Sequence, residues 1–167
     1  MAARIHSLVL LSVLALLGAC QDTVSPPFAT LGNRVAVAPT AVLTHEYYSG
    51  IGDQALFVIA DSASLTSIWR QLYMGSQPQP PIPAVDFRTE RVLLAALGQR
   101  PTGGYDIQID SVVQYELGIA AYVRAVAPGQ SCGTTSALTQ PVALVRVSPP
   151  VLAPIVFKQQ AVVHECS

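Results

Sequence analysis

The chain has 167 residues, with nine basic and ten acidic side chains and a formal charge of −1. That length suits one domain of ordinary size, and the mean hydropathy of +0.44 at first sight suggests a membrane protein. So few charges exclude a nucleic-acid footprint, a coiled coil and a charge-rich disordered tail.

The first element is an export signal over residues 1–19. Arg4 gives a short positive start, and Leu8 to Leu17 form an apolar run broken only by Ser12. This run is about half of the roughly 20 apolar residues that a membrane span requires, which is the length of a signal h-region. It ends in Leu17-Gly18-Ala19-Cys20, an arrangement that resembles a bacterial lipobox. Cys20 is therefore expected to carry lipid; the other reading is an ordinary secretory signal in which Cys20 happens to lie near the cleavage site. Several acyl chains would hold the protein at a membrane without crossing it. Gln21 follows where an Asp often marks inner-membrane retention, so the expected location is the bacterial envelope, at the outer membrane of a Gram-negative cell.

Residues 20–44 read as a lipid-anchored flexible tether, with Val35 to Ala38 only weakly strand-like, and residues 45–167 as one globular domain. Gln54 to Ala60 is a buried strand. Ser62 then serves as a helix N-cap. Leu65, Ile68, Trp69, Leu72 and Tyr73 form the apolar stripe of a helix of about ten residues, with Trp69 in the core. The Pro-rich segment 76–85 (SQPQPPIPAV) is a stiff surface connector, or a ligand for a polyproline reader.

Arg91 to Leu97 is a second buried strand, ended by Gly98-Gln99-Arg100-Pro101-Thr102-Gly103-Gly104. Tyr105 to Val113 alternates apolar and polar residues as a half-exposed antiparallel strand does. Asp106 and Asp110 share one of its faces, read as a solvated face and not as an acid/base pair. Ile119 to Val126, Val142 to Val147, and one or two short strands within Ile155–His164 follow. Strands at this spacing, joined by Gly/Pro turns, predict a mainly β fold: an antiparallel sandwich or open barrel with one amphipathic helix.

Once Cys20 is set aside, Cys132 and Cys166 remain as an even pair in an oxidising compartment, where a disulfide is expected. A zinc site is the rival reading, but these Cys lack the spacing of a ligand set. His45 and His164 have no metal-spaced partner and no nucleophile motif nearby, and no Walker A or GxSxG pattern occurs. Neither metal, cofactor nor catalytic residue is expected.

The most informative stretch is Gly98 to Tyr105. Together with Val85-Asp86-Phe87, Ile107, Ile109, Pro128-Gly129, Cys132 and Thr139-Gln140-Pro141 before Val142, it resembles the C-terminal domain family of the protease-complex subunit PrcB over residues 85–150. Val142 stands where an aromatic residue would be expected. The resemblance implies a non-catalytic envelope lipoprotein that associates with a protease and stabilises it. Pro101-Thr102-Gly103-Gly104-Tyr105 is also similar to the NPTTGY loop of chagasin-type cysteine protease inhibitors. Arg100 replaces the first Asn, and an RPW-type loop is missing.

The expected partner-binding loop is Arg100, Pro101, Thr102, Gly103, Gly104 and Tyr105. Pro fixes φ, paired Gly residues admit φ > 0 and close approach, and Tyr offers a rigid amphipathic ring. The competing possibilities are a protease inhibitor using the same loop, and a structural lipoprotein in which Pro-Thr-Gly-Gly is only a turn.

Overall fold

The computed structural model describes residues 31–149 and 153–166. The signal segment and the expected lipid site, Cys20, lie outside the described residues. Within them the chain forms β1 (Arg34–Val37), β2 (Thr40–Glu46), β3 (Gln54–Ile59), α1 (Ser62–Leu72), β4 (Arg91–Leu97), β5 (Asp106–Tyr115), β6 (Gly118–Pro128), β7 (Val142–Val147) and β8 (Ile155–His164). The strands make two four-stranded sheets, ordered β1-β5-β6-β8 and β2-β7-β4-β3. No helix among them is long and apolar enough to cross a membrane.

The fold is the expected mainly β sandwich with one helix, and the helix adds a third layer. α1 lies on the outer face of the β2-β7-β4-β3 sheet, where Leu65, Trp69 and Leu72 pack with Val92, Leu94, Ala96, Val142 and Leu144. The opposite face of β4 meets the second sheet. There Leu93 packs with Val112, Ile119 and Ala121, while Ala95 and Leu97 pack with Ile107, Val123 and Ala125. A strand covered on both faces must be apolar throughout. This explains the uninterrupted Val92 to Leu97 run, all buried.

Several details depart from the sequence reading. The folded unit starts earlier than residue 45: β1 and all of β2 up to Thr44 lie within the expected tether. Both are edge strands, so many of their residues are exposed and the burial signal in the sequence is weak. The helix cap is Asp61 instead of Ser62: Asp61 Oδ1 accepts from the Ser64 amide at 2.8 Å. Its second oxygen accepts from the Ser64 hydroxyl at 2.7 Å, so the carboxylate satisfies more donors than a hydroxyl does. The sandwich is not wholly antiparallel, because β8 pairs parallel to β6 from Ile119↔Ile155 to Pro128↔His164. A parallel partner needs a long connection, and here that connection passes through β7 in the other sheet.

The Pro-rich segment runs along the surface as expected and is tied down at one point. The buried Trp69 indole donates to Pro80 O at 3.0 Å. A buried indole N–H needs such an acceptor. At the far end of α1, Gly50 N donates to Leu72 O at 3.1 Å, covering a carbonyl that the helix leaves open. A Cβ on Gly50 would sit 2.0 Å from Gln71 O, so only glycine permits this approach.

Candidate functional site

The loop from Gly98 to Tyr105 joins one sheet to the other, from β4 to β5. It is not a free turn. Arg100 N donates to Thr139 O at 2.8 Å and Thr139 N donates to Arg100 O at 3.0 Å. The buried Thr139 hydroxyl donates to Thr102 O at 2.9 Å, and Gly103 N donates to Thr135 O at 3.0 Å. The segment between β6 and β7 thus splints the loop along most of its length. Cys132 in that segment is bonded to Cys166 beyond β8, which is the expected disulfide.

The paired glycines do different jobs. Gly104 takes φ +85°, the left-handed region that favours glycine, and a Cβ there would press on Pro128 at 3.0 Å. Gly103 has no such φ; a Cβ there would lie 2.5 Å from Thr135 Oγ1, which a rotation of that side chain relieves. Pro101 and Gly104 are exposed, whereas Thr102, Gly103 and Tyr105 are half-buried. The structure therefore brings the six predicted loop residues into one braced ridge.

Residues distant in sequence complete the surroundings. A cleft of about 360 Å³ is lined by Tyr47, Tyr48, Gly103, Gly104, Tyr105 and Asp106, with Thr135 and Thr139. Tyr47 and Tyr48 are 46% and 66% exposed, so two rings project beside the glycines. Burial, and secondly the charge of Asp106, hold the Tyr47 phenol above its ordinary pKa. Sequence reasoning missed both tyrosines, since they follow an edge strand about 55 residues upstream of the loop.

It also missed a pair beneath the ridge. His45 Nε2 lies 2.6 Å from Asp106 Oδ1, and that carboxylate also accepts from the Ile107 amide at 2.8 Å and from Gln108 Nε2 at 2.7 Å. Asp106 is thus not part of a solvated face; its side chain is 17% exposed. Asp110 stays at the surface and pairs with Arg124 at 2.9 Å. Arg124 also donates to Gln108 Oε1 at 2.9 Å, so the two carboxylates sit at opposite ends of one polar chain. His45 has Asp106 as its hydrogen-bond partner, and its ring lies 5.2 Å from that of Tyr47. The arrangement fastens β2 of one sheet to the start of β5 in the other.

Arg100 lies on the far side of Tyr105. Its guanidinium is 5.8 Å from the ring centroid, and Nη2 donates to Leu97 O at 2.7 Å. Tyr105 is thereby clamped between two clefts, one on the Tyr47 side and one on the Arg100 side.

The resemblance read from the loop holds against known families. Residues 91–148 match the family described as PrcB C-terminal. The matched segment runs from β4 through β7 and takes in the ridge and its splint, while Val85-Asp86-Phe87 lie just outside it. No curated protein and no solved structure matches the chain.

Proposed function

We propose, from the family that residues 91–148 match, that this is a lipid-anchored protein of the bacterial envelope. Its β domain serves as a non-catalytic, protein-binding accessory subunit of a protease complex. The observation that carries this reading is the position of the ridge inside the matched segment. Exposed Tyr47 and Tyr48 beside Gly103 and Gly104 offer rigid rings and accessible backbone, features suited to a protein contact. Splinting supports the same role, because a preformed surface loses little conformational entropy on binding. Acyl chains on Cys20 would hold the domain at the outer membrane.

Crosslinking in intact cells followed by mass spectrometry tests the reading. The expected product joins the ridge to an envelope protease or its complex. A Tyr47→Ala/Tyr48→Ala chain, altered only at exposed rings, should fold normally and lose that product. Capture of no specific partner, or unchanged capture by the double variant, would overturn the assignment. Membrane fractionation of a Cys20→Ser chain tests the anchor separately: release is expected, and retention would contradict it.

A further inference from the structure

The cleft on the Arg100 side of Tyr105 has a chemistry of its own. It encloses about 240 Å³ between the sheets, and its walls include Leu97, Ala125, Ala127, Val162 and Val163. Val163 is 60% exposed at the rim. The polar side chains in the wall are Gln54, Arg100, Tyr105 and Gln159, with no carboxylate among them. The one formal charge among these lining residues is therefore the Arg100 guanidinium.

That guanidinium is under-used. Its Nε is buried and has no hydrogen-bond partner among the described residues, and Leu97 O accepts from Nη2. A buried N–H of a charged group without an acceptor is costly, and a planar fork with vacant donors matches a carboxylate. Tyr105 and the backbone bonds to Thr139 hold the residue in place, so the fork is pre-positioned.

Two strand edges border the same opening. β3 and β8 are the outer strands of their sheets on this side, and each has one edge without a ladder partner among the described residues. Gln54, the first residue of β3, lies in the cleft wall. A strand added antiparallel to β3 would run from the Ile59 end and finish at Gln54, beside Arg100. An acidic side chain within a chain would satisfy the fork but leave the apolar walls unfilled. A chain terminus with an aliphatic last residue supplies carboxylate and apolar side chain together, and its preceding residues supply backbone for an edge.

We propose that this cleft docks the carboxyl terminus of a partner polypeptide that ends in an aliphatic residue, with the terminal carboxylate on Arg100. The proposal deepens the protein-binding reading above and rests on it only in taking the partner to be a protein.

Fluorescence anisotropy with the full chain tests it, using a fluorescein-labelled Gly-Ala-Val-Ala-Leu peptide with a free carboxyl terminus and the same peptide as its amide. The free acid should bind, and the amide should bind about tenfold more weakly or worse, since a charged partner has been removed. Arg100→Gln should weaken the acid by a similar factor and leave the amide unchanged. Val163→Glu, at an exposed rim position, keeps the test independent of any folding defect in the Arg100 variant. It should weaken the acid selectively through like-charge repulsion. Equal binding of acid and amide, no binding of either, or full affinity in both variants would overturn the proposal. Displacement of the peptide by an equal concentration of decanoate would reassign the cleft to a lipid carboxylate and overturn it too. Cellular crosslinking at the ridge separates the two readings: a captured partner with no peptide binding ends this inference alone, whereas peptide binding with no captured partner ends the ridge assignment alone.

Discussion

Gly98 illustrates how a single backbone position joins the ridge to its support. Its φ is +74°, and a Cβ would lie 2.7 Å from Gln54 N and 2.9 Å from Gly52 O. The next residue uses the same approach, with Gln99 N donating to Gly52 O at 2.9 Å. Gly98→Ala should therefore destabilise the domain by at least about 1 kcal/mol, read as a lower urea midpoint with an unchanged slope. Gly133→Ala, where a Cβ meets nothing within 4 Å, should shift stability by no more than about 0.5 kcal/mol. Equal effects would show that conformation and crowding at Gly98 do not matter. At this scale the sequence identified the glycine-rich stretch but not the division of labour inside it. A left-handed φ at Gly104 and a negative φ at Gly103 look alike in one-letter code. The His45–Asp106 contact was illegible for a different reason: 61 positions separate the pair, and only the packing of two sheets brings them together.

Among the elements, α1 and β2 are joined by a polar contact at the end of the helix. The Tyr73 hydroxyl lies 2.6 Å from Thr44 Oγ1 and donates to Glu46 Oε1 at 3.0 Å. Burial is the main influence on the Tyr73 phenol and raises its pKa above the ordinary value. The Thr44 hydroxyl opposes this, and the hydrogen bond and charge of Glu46 reinforce it. The fold thus favours the neutral phenol. Its contribution is complete below the unfolded value of about 10 and is lost as pH rises through the higher folded value. Stability measured from pH 9 to 11 should fall less steeply for Tyr73→Phe than for the parent chain; parallel curves would sink this account. The helix and most strands were legible from a 3.6-residue stripe and apolar runs; Gln54–Ile59, read as buried, is instead an edge strand with Phe57 39% exposed. Arg91–Leu97 and Val142–Val147 were read to their limits. β1 and β2 were not, because an edge strand with alternating exposed residues resembles a tether in composition.

For the molecule as a whole, the disulfide is the one covalent cross-link among the described residues. It closes a separation of 34 residues and ties the end of β8 to the splint behind the ridge. Cys132→Ser/Cys166→Ser should cost about 3–4 kcal/mol in the chain-entropy account, a fall in Tm of roughly 10 °C. Hydrogen exchange should accelerate first in β8 and in residues 129–141. Uniform acceleration across both sheets would argue that the bond stabilises the fold without locally holding the ridge. The pairing was legible from counting cysteines. The sheet orders and the parallel β6–β8 pair were not, because strand partnership is decided by which faces can be covered together.

That parallel pair has a bearing on the order in which the protein folds. β8 follows every other described strand in the chain, and its partner β6 is complete some thirty residues earlier. Until β8 is made, β6 carries a bare edge in the middle of its future sheet, open to pairing with another copy. A chain truncated before Ile155 would keep that edge exposed, and the docking of β8 is the event that covers it.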